Sequence, residues 1–308
     1  MDITTIPDIG QKAIKNGIGS FIASQSDIMS DKYQRHIGKL NEIKSLNEMI
    51  VSESKIYDNG IEILTNKYMS ANSEDRIRIR QDLEYMEGKK RQLSIYLKSL
   101  AYGTDKNKTT NEEPLKPIEG HWIDKFNELA RKRNEEWRSD LLARALACEA
   151  ETPNSVSPRA IWLMGHMEES LFIALSELLN LCVRILPDNI PLLPNSKIQA
   201  LDRIISNSSK TVGNLVFQLA DIGIVADHLT SSRQYDVKQG FIVKYEQTQF
   251  IITTKQKLEI RGILFTPLGD SIAKFFNPTW NSGGISVLND WVESISAQAD
   301  IQPYINTI

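Results

Sequence analysis

Cysteine is scarce in this sequence, which contains only Cys148 and Cys182 among its 308 residues. Both lie within apolar, helix-like patterns, where a cysteine is typically a small buried side chain. There is no CxxC pair and no cluster of cysteine and histidine with the spacing of zinc ligands. The sequence therefore predicts free thiols in a reducing compartment, with no bound metal and no cofactor.

Long apolar runs are also missing. No stretch approaches the ~20 consecutive apolar residues that a membrane-spanning helix requires. Residues 1–21 have no basic region followed by an apolar run, so they do not resemble a secretory signal. The sequence predicts a cytoplasmic protein with no membrane span.

An excess of charge of either sign is absent, because 36 basic and 39 acidic residues leave a formal net charge of -3. This balance gives no general attraction to nucleic acid or anionic lipid. The motifs GxGxxG, GxxxxGK[ST], GxSxG and HExxH do not occur, and no catalytic residue is predicted. The four histidines lie far apart in sequence, at His36, His121, His166 and His228.

The dominant pattern in the sequence is a helical periodicity of apolar residues. Apolar residues recur at gaps of three and four along residues 27–57, with charged residues on the opposite face. The triplet DNG at 58–60 predicts a break, and a further helix is expected over about 74–101, capped by Asn72 or Ser73. An apolar stripe on a charged rod is typical of a helical hairpin or coiled coil. We assign residues 1–101 to this part and predict that a protein partner, or a second copy of the chain, binds through residues 27–100.

A polar stretch without periodicity follows at residues 102–120 and predicts a linker. Residues 121–194 then form a predicted central helical domain, in which apolar helical stripes alternate with turn residues. Ser157 followed by Pro158 predicts a helix start there, because a hydroxyl caps the helix and proline fits its first position.

Four charged side chains of the central domain define the candidate polar cluster: Arg138, Arg144, Glu149 and Arg159. Glu149 lies near a predicted helix end, where the helix dipole disfavours negative charge. We expect Glu149 to form a salt bridge with Arg144 or Arg159. The alternative is that the cluster converges in one cleft, as the site of an effector or toxin with unfamiliar chemistry.

The C-terminal third changes character. Residues 195–282 combine two short helical patterns, three β-forming segments over 241–265 and a helix start at Thr266-Pro267. This order predicts a winged-helix-like α+β unit, followed by a helix and tail over 283–308. Winged helices bind DNA or proteins. Basic residues only slightly outnumber acidic residues in this unit, whereas a DNA-binding face is usually strongly basic, so we favour protein contact. The candidate nucleic-acid contacts are Asn214, Gln218, Lys244, Lys255 and Lys257.

The central segment also resembles a known family. The residues that carry the resemblance are Trp122, Phe126, Trp137, Leu146-Ala147-Cys148-Glu149, Pro153 and Ser157-Pro158-Arg159. This pattern resembles an uncharacterised bacterial family, domain of unknown function 2806. Asn154 departs from it, because glycine is usual after the turn proline. The resemblance implies a helical architecture and a bacterial or phage setting, and related proteins resemble accessory or defence-island components. It implies no reaction.

The predicted fold class is mainly α: an N-terminal helical hairpin or coiled coil, a central helical domain and a C-terminal winged-helix-like unit. The predicted function is that of a non-enzymatic interaction or regulatory protein that self-associates. Two alternatives remain open at this point, a DNA-binding winged-helix regulator and an effector or toxin.

Overall fold

The computed structural model divides the chain into two compact units, residues 1–166 and 167–308. The residues that it describes are 43–102, 118–186, 189–194, 212–226, 232–235, 240–253, 258–280 and 282–304. Three predicted segments lie outside these ranges. They are the part of the N-terminal helical pattern before Ile43, most of the linker at 102–120 and the first of the two short helical patterns within 195–282. No described helix has the length and apolar character needed to span a membrane.

The described part of the first unit consists of helices. They are α1 (Ile43–Ser70), α2 (Ser73–Tyr102), α3 (Gly120–Lys132), α4 (Glu136–Glu151) and α5 (Pro158–His166). α1 and α2 form an antiparallel hairpin, and the second half of α2 packs on α3 and α4.

The predicted helix break at residues 58–60 is wrong, because α1 continues through it. Gly60 lies against α2, and a Cβ atom there would be only 2.7 Å from Sδ of Met86. The glycine therefore provides room for a neighbouring side chain inside a continuous helix. The cap at Asn72 is confirmed, since its Oδ1 accepts the backbone N–H groups of Glu74 and Asp75 at 3.1 and 2.9 Å.

The core of the first unit lies where α2, α3, α4 and α5 meet. The ring of Trp122 stacks on Phe126 with centroids 5.3 Å apart, and Phe126 is fully buried. Ser157 begins α5 as predicted, because its Oγ accepts the backbone N–H of Ala160 at 3.1 Å. The large apolar side chains that complete this core include Leu93, Leu100, Leu142, Leu146 and Ile161.

The second unit packs helices against a sheet. Its described helices are α6 (Glu169–Leu181), α7 (Val212–Asp221), α8 (Pro267–Phe275) and α9 (Ser282–Ile295). Its strands are β1 (Val183–Leu186), β2 (Ile190–Pro194), β3 (Ser232–Tyr235), β4 (Phe241–Tyr245), β5 (Thr248–Thr253), β6 (Leu258–Leu264) and β7 (Asp300–Pro303). Among the described residues these seven strands form one antiparallel sheet, in the order β3-β6-β2-β1-β4-β5-β7.

The predicted mainly α fold with a winged helix is therefore wrong. The three predicted β segments exist as β4, β5 and β6, but β6 does not lie beside the β4–β5 hairpin. β1 and β2 lie between them, with Ile185 paired to Val243 and Leu192 paired to Leu264. These two strands come from a proline-containing stretch that the sequence placed at the end of the helical domain. The second unit is thus an antiparallel sheet with helices packed on it.

The predicted helix start after Thr266 is confirmed. Thr266 is the N-cap of α8, and its Oγ1 accepts the backbone N–H of Gly269 at 3.2 Å. The same hydroxyl donates to the carbonyl of Gly223 at 2.6 Å. It therefore joins the helix start to the chain that follows α7.

Replacing Thr266 with valine keeps the shape of the side chain but removes both hydrogen bonds. We expect the free energy of unfolding to fall by about 1–2 kcal/mol. Chemical denaturation measures this loss, and Thr266→Ser should retain most of the stability. Equal stability of the valine and serine variants would show that the hydroxyl contributes nothing.

Candidate interaction surface

The outer part of the α1–α2 hairpin exposes large apolar side chains. Ile56 and Ile63 lie two helical turns apart on one face of α1, and Ile77 and Tyr85 are exposed on α2. Single exposed apolar residues are ordinary on protein surfaces, but several on one hairpin make it the candidate interaction surface of this chain. We call this set the hairpin surface: Ile56, Ile63, Met69, Ile77 and Tyr85, which are 52%, 55%, 75%, 63% and 50% exposed.

Charges of both signs surround the hairpin surface. The exposed stretch of α2 from residue 74 to residue 84 reads EDRIRIRQDLE, so three arginines lie between pairs of acidic residues. One of these arginines, Arg80, pairs with Glu84 at 3.1 Å, and both side chains are exposed. Such mixed charge lacks the continuous basic face that phosphate binding requires.

A buried polar network holds the base of the hairpin. Asn127 Oδ1 accepts hydrogen bonds from Gln92 Nε2 and from the hydroxyl of Tyr96, each at 2.7 Å. Arg131 Nε donates to Gln92 Oε1 at 2.8 Å. Burial raises the pKa of Tyr96 well above its ordinary value, so the phenol remains a neutral donor. These bonds fix α2 against α3, and the hairpin therefore projects from a rigid base.

The members of the candidate polar cluster that have hydrogen bonds or ion pairs in the structure bind separate partners. Arg138 is buried, donates from Nε to the carbonyl of Met164 at 3.2 Å and pairs with Glu135. Arg144 pairs with Asp140 at 3.1 Å and lies over the ring of Tyr102.

Glu149 has backbone partners, so the expected salt bridge with Arg144 or Arg159 is wrong. One carboxylate oxygen accepts the N–H of Asn154 at 2.7 Å, and the other accepts the N–H of Val156 at 2.9 Å. Burial raises the pKa of Glu149, although the backbone N–H donors act in the opposite direction. Asn154 has a positive φ of 68°, so the turn after α4 closes over this carboxylate. Arg159 is exposed at the start of α5.

A model of one protein family, described as Protein of unknown function (DUF2806), matches residues 75–288 of this chain. The chain belongs to the DUF2806 family. The match begins near the start of α2 and ends in α9, so it includes parts of both compact units. No curated protein and no solved structure matches the chain.

The candidate nucleic-acid contacts also fall within the DUF2806 match, but their placements differ. Lys255 and Lys257 lie outside the described residues. Asn214 is exposed on α7, whereas Gln218 is partly buried on the same helix. Lys244 is half-buried on β4. Because the predicted winged helix is absent from the described fold, these residues no longer share the arrangement that motivated the prediction.

Sequence reasoning missed two kinds of residue in this DUF2806 protein. The first is the network of Gln92, Tyr96 and Asn127, whose members are too far apart in sequence to form a motif. The second is Arg184, a buried arginine within an apolar strand, for which the run CVRIL provided the only signal. Across the described ranges, His, Cys, Asp and Glu do not gather in groups of three or more suited to a metal ion.

Proposed function

We propose that this protein is a non-enzymatic interaction protein that self-associates through the hairpin surface. The observation that carries the proposal is the exposure of five large apolar side chains on one hairpin. Burying them in an interface is favourable, at roughly 25 cal/mol per Å² of apolar area removed from water. A rigid base lowers the entropic cost of association, since the hairpin does not need to be ordered on binding.

A second copy of the chain is the occupant that the charges favour. Closed dimers use the same patch on both subunits, so the patch must be complementary to itself. The stretch between Glu74 and Glu84 meets this condition, because its three central arginines lie between two pairs of acidic residues and the net charge is small. Two such surfaces can place opposite charges across an apolar centre without a large like-charge penalty.

The test measures the molar mass of the full chain between about 1 and 100 μM by sedimentation velocity, a range that covers common dimer affinities. We expect a reversible dimer for the natural sequence. Ile63→Glu combined with Ile77→Glu should raise the dissociation constant at least about 30-fold, because each change buries a charge in the interface. Circular dichroism should remain unchanged, since both side chains are exposed in the single chain.

The matched control is Ile173→Glu, which alters an isoleucine that is 50% exposed on α6, outside the hairpin. This variant should associate like the natural sequence. A natural chain that stays monomeric at 100 μM would overturn the proposal and leave a different protein as the partner. A hairpin variant that dimerises as well as the control would show that another surface is used.

A further inference from the structure

Arg184 is a buried cation whose two terminal nitrogens have no hydrogen-bond partner in the described part of the chain. It lies in β1, near the middle of the sheet, with only 3% of its surface exposed. Nη1 and Nη2 are both buried and have no hydrogen-bond partner within the described structure. A guanidinium is normally buried only with an anion or several acceptors, because losing its hydration is costly. The unused donors therefore point to a missing partner.

A second cation lies directly beside Arg184. In the antiparallel pairing of β1 with β4, Arg184 is the register partner of Lys244. Directly opposite residues project on the same face of a sheet, about 4.5–5.5 Å apart at Cβ. Like charges in this position repel each other. Lys244 is only half-buried, so part of its side chain is accessible to solvent.

Among the described residues, the other neighbours of Arg184 leave one positive charge uncompensated. Its register partner in β2 is Pro191, which has no polar side-chain atom. Burial raises the pKa of the Cys182 thiol to about 12, so this thiol is neutral at pH 7. Asp270 of α8 is near enough to attract Arg184 electrostatically but does not accept its Nη hydrogen bonds. Two cations and one carboxylate therefore leave a net charge of one.

We propose that Arg184 and Lys244 bind the carboxylate group of a small-molecule ligand. The two Nη groups of a guanidinium match the two oxygens of a carboxylate, which gives a pair of parallel hydrogen bonds. One carboxylate also balances the single uncompensated charge, whereas a phosphate dianion would exceed it. Lys244 supplies the second cationic contact. This site lies on the second unit and does not depend on the proposed dimer.

The experiment follows thermal unfolding of the full chain with added acetate, inorganic phosphate or chloride at constant ionic strength. We expect acetate to raise the unfolding midpoint saturably, and phosphate to raise it less. Lys244→Met should weaken the apparent acetate affinity about tenfold, since it removes one charged contact. Asp270→Asn should strengthen the affinity, because it removes the competing negative charge.

Arg184→Met separates a ligand site from a structural role. Without added anion, this variant should unfold at a higher temperature than the natural chain, since methionine removes an unpaired buried charge. Acetate should no longer shift its midpoint. Arg261→Met, at an exposed position on β6, is the control and should respond to acetate like the natural chain.

Three outcomes would overturn the inference. The first is an Arg184→Met variant that is less stable than the natural chain or fails to fold, because the arginine would then have a structural partner. The second is an acetate shift that is equal in all variants. The third is a larger shift with phosphate than with acetate, which would identify a more highly charged anion, and not a carboxylate, as the ligand. None of these results alters the molar mass that tests the dimer.

Discussion

Replacing Gly284 with alanine is expected to lower the free energy of unfolding of the second unit by at least about 3 kcal/mol. Gly284 is buried in the first turn of α9, and an added Cβ atom would overlap the ring of Tyr245. That ring has no room to move. It is fully buried, its hydroxyl donates to the carbonyl of Asn180 at 2.7 Å, and Trp280 packs edge-on with centroids 4.7 Å apart.

Denaturant unfolding followed by tryptophan fluorescence and circular dichroism measures this effect. Gly120→Ala is the matched control, because no atom lies within 4 Å of the added Cβ at the start of α3. We expect the control to change stability by less than about 0.5 kcal/mol. If Gly284→Ala proved as stable as the control, α9 would pack on β4 more loosely than the structure shows.

Replacing Glu149 with alanine is expected to cost the first unit about 3 kcal/mol, since it leaves the N–H groups of Asn154 and Val156 without acceptors. The carbonyl of Val156 is itself held by Trp122 Nε1 at 2.8 Å. Hydrogen bonds with two different side chains therefore hold the N–H and the carbonyl of Val156. Glu149→Gln retains one side-chain acceptor and should lose about half as much stability.

Equilibrium unfolding in denaturant measures the Glu149 series. Glu128→Ala is the control in the same unit, because Glu128 is exposed and surface ion pairs such as the one it forms with Lys132 contribute little to stability. A Glu149→Ala variant with the same free energy of unfolding as the natural chain would contradict the structural role of Glu149. The same series constrains the effector or toxin hypothesis, since a loss of toxicity in Glu149→Gln is informative only if folding is retained.

Local signals in the sequence predicted local structure well. The caps at Asn72, Ser157 and Thr266 are confirmed because each requires only a side-chain oxygen and nearby N–H groups. The three strands between Phe241 and Leu264 were found from their β-branched and aromatic residues. Both kinds of signal lie within one element, and pattern reasoning finds them without knowledge of the tertiary fold.

Features that depend on tertiary contacts were not predicted. The triplet DNG at 58–60 was interpreted as a break, whereas the fold uses Gly60 to accommodate Met86 within a helix. The strands at Val183 and Ile190 are short, and prolines flank and interrupt them, so their position in the middle of the sheet depends on partners that are distant in sequence. The role of Glu149 likewise depends on a turn whose geometry the sequence indicated but whose acceptor it did not.

The order of strands in the sheet has a consequence for how this unit folds. β1 and β2 are its inner strands, yet β4 and β6, which flank them, are synthesised dozens of residues later. Their backbone hydrogen bonds cannot be completed until Leu264 has left the ribosome. Such long-range pairing slows folding and leaves unpaired strands exposed to aggregation. The helical hairpin of α1 and α2 closes through residues that are close in sequence, so it can form early, while the sheet must wait until β6 has been synthesised.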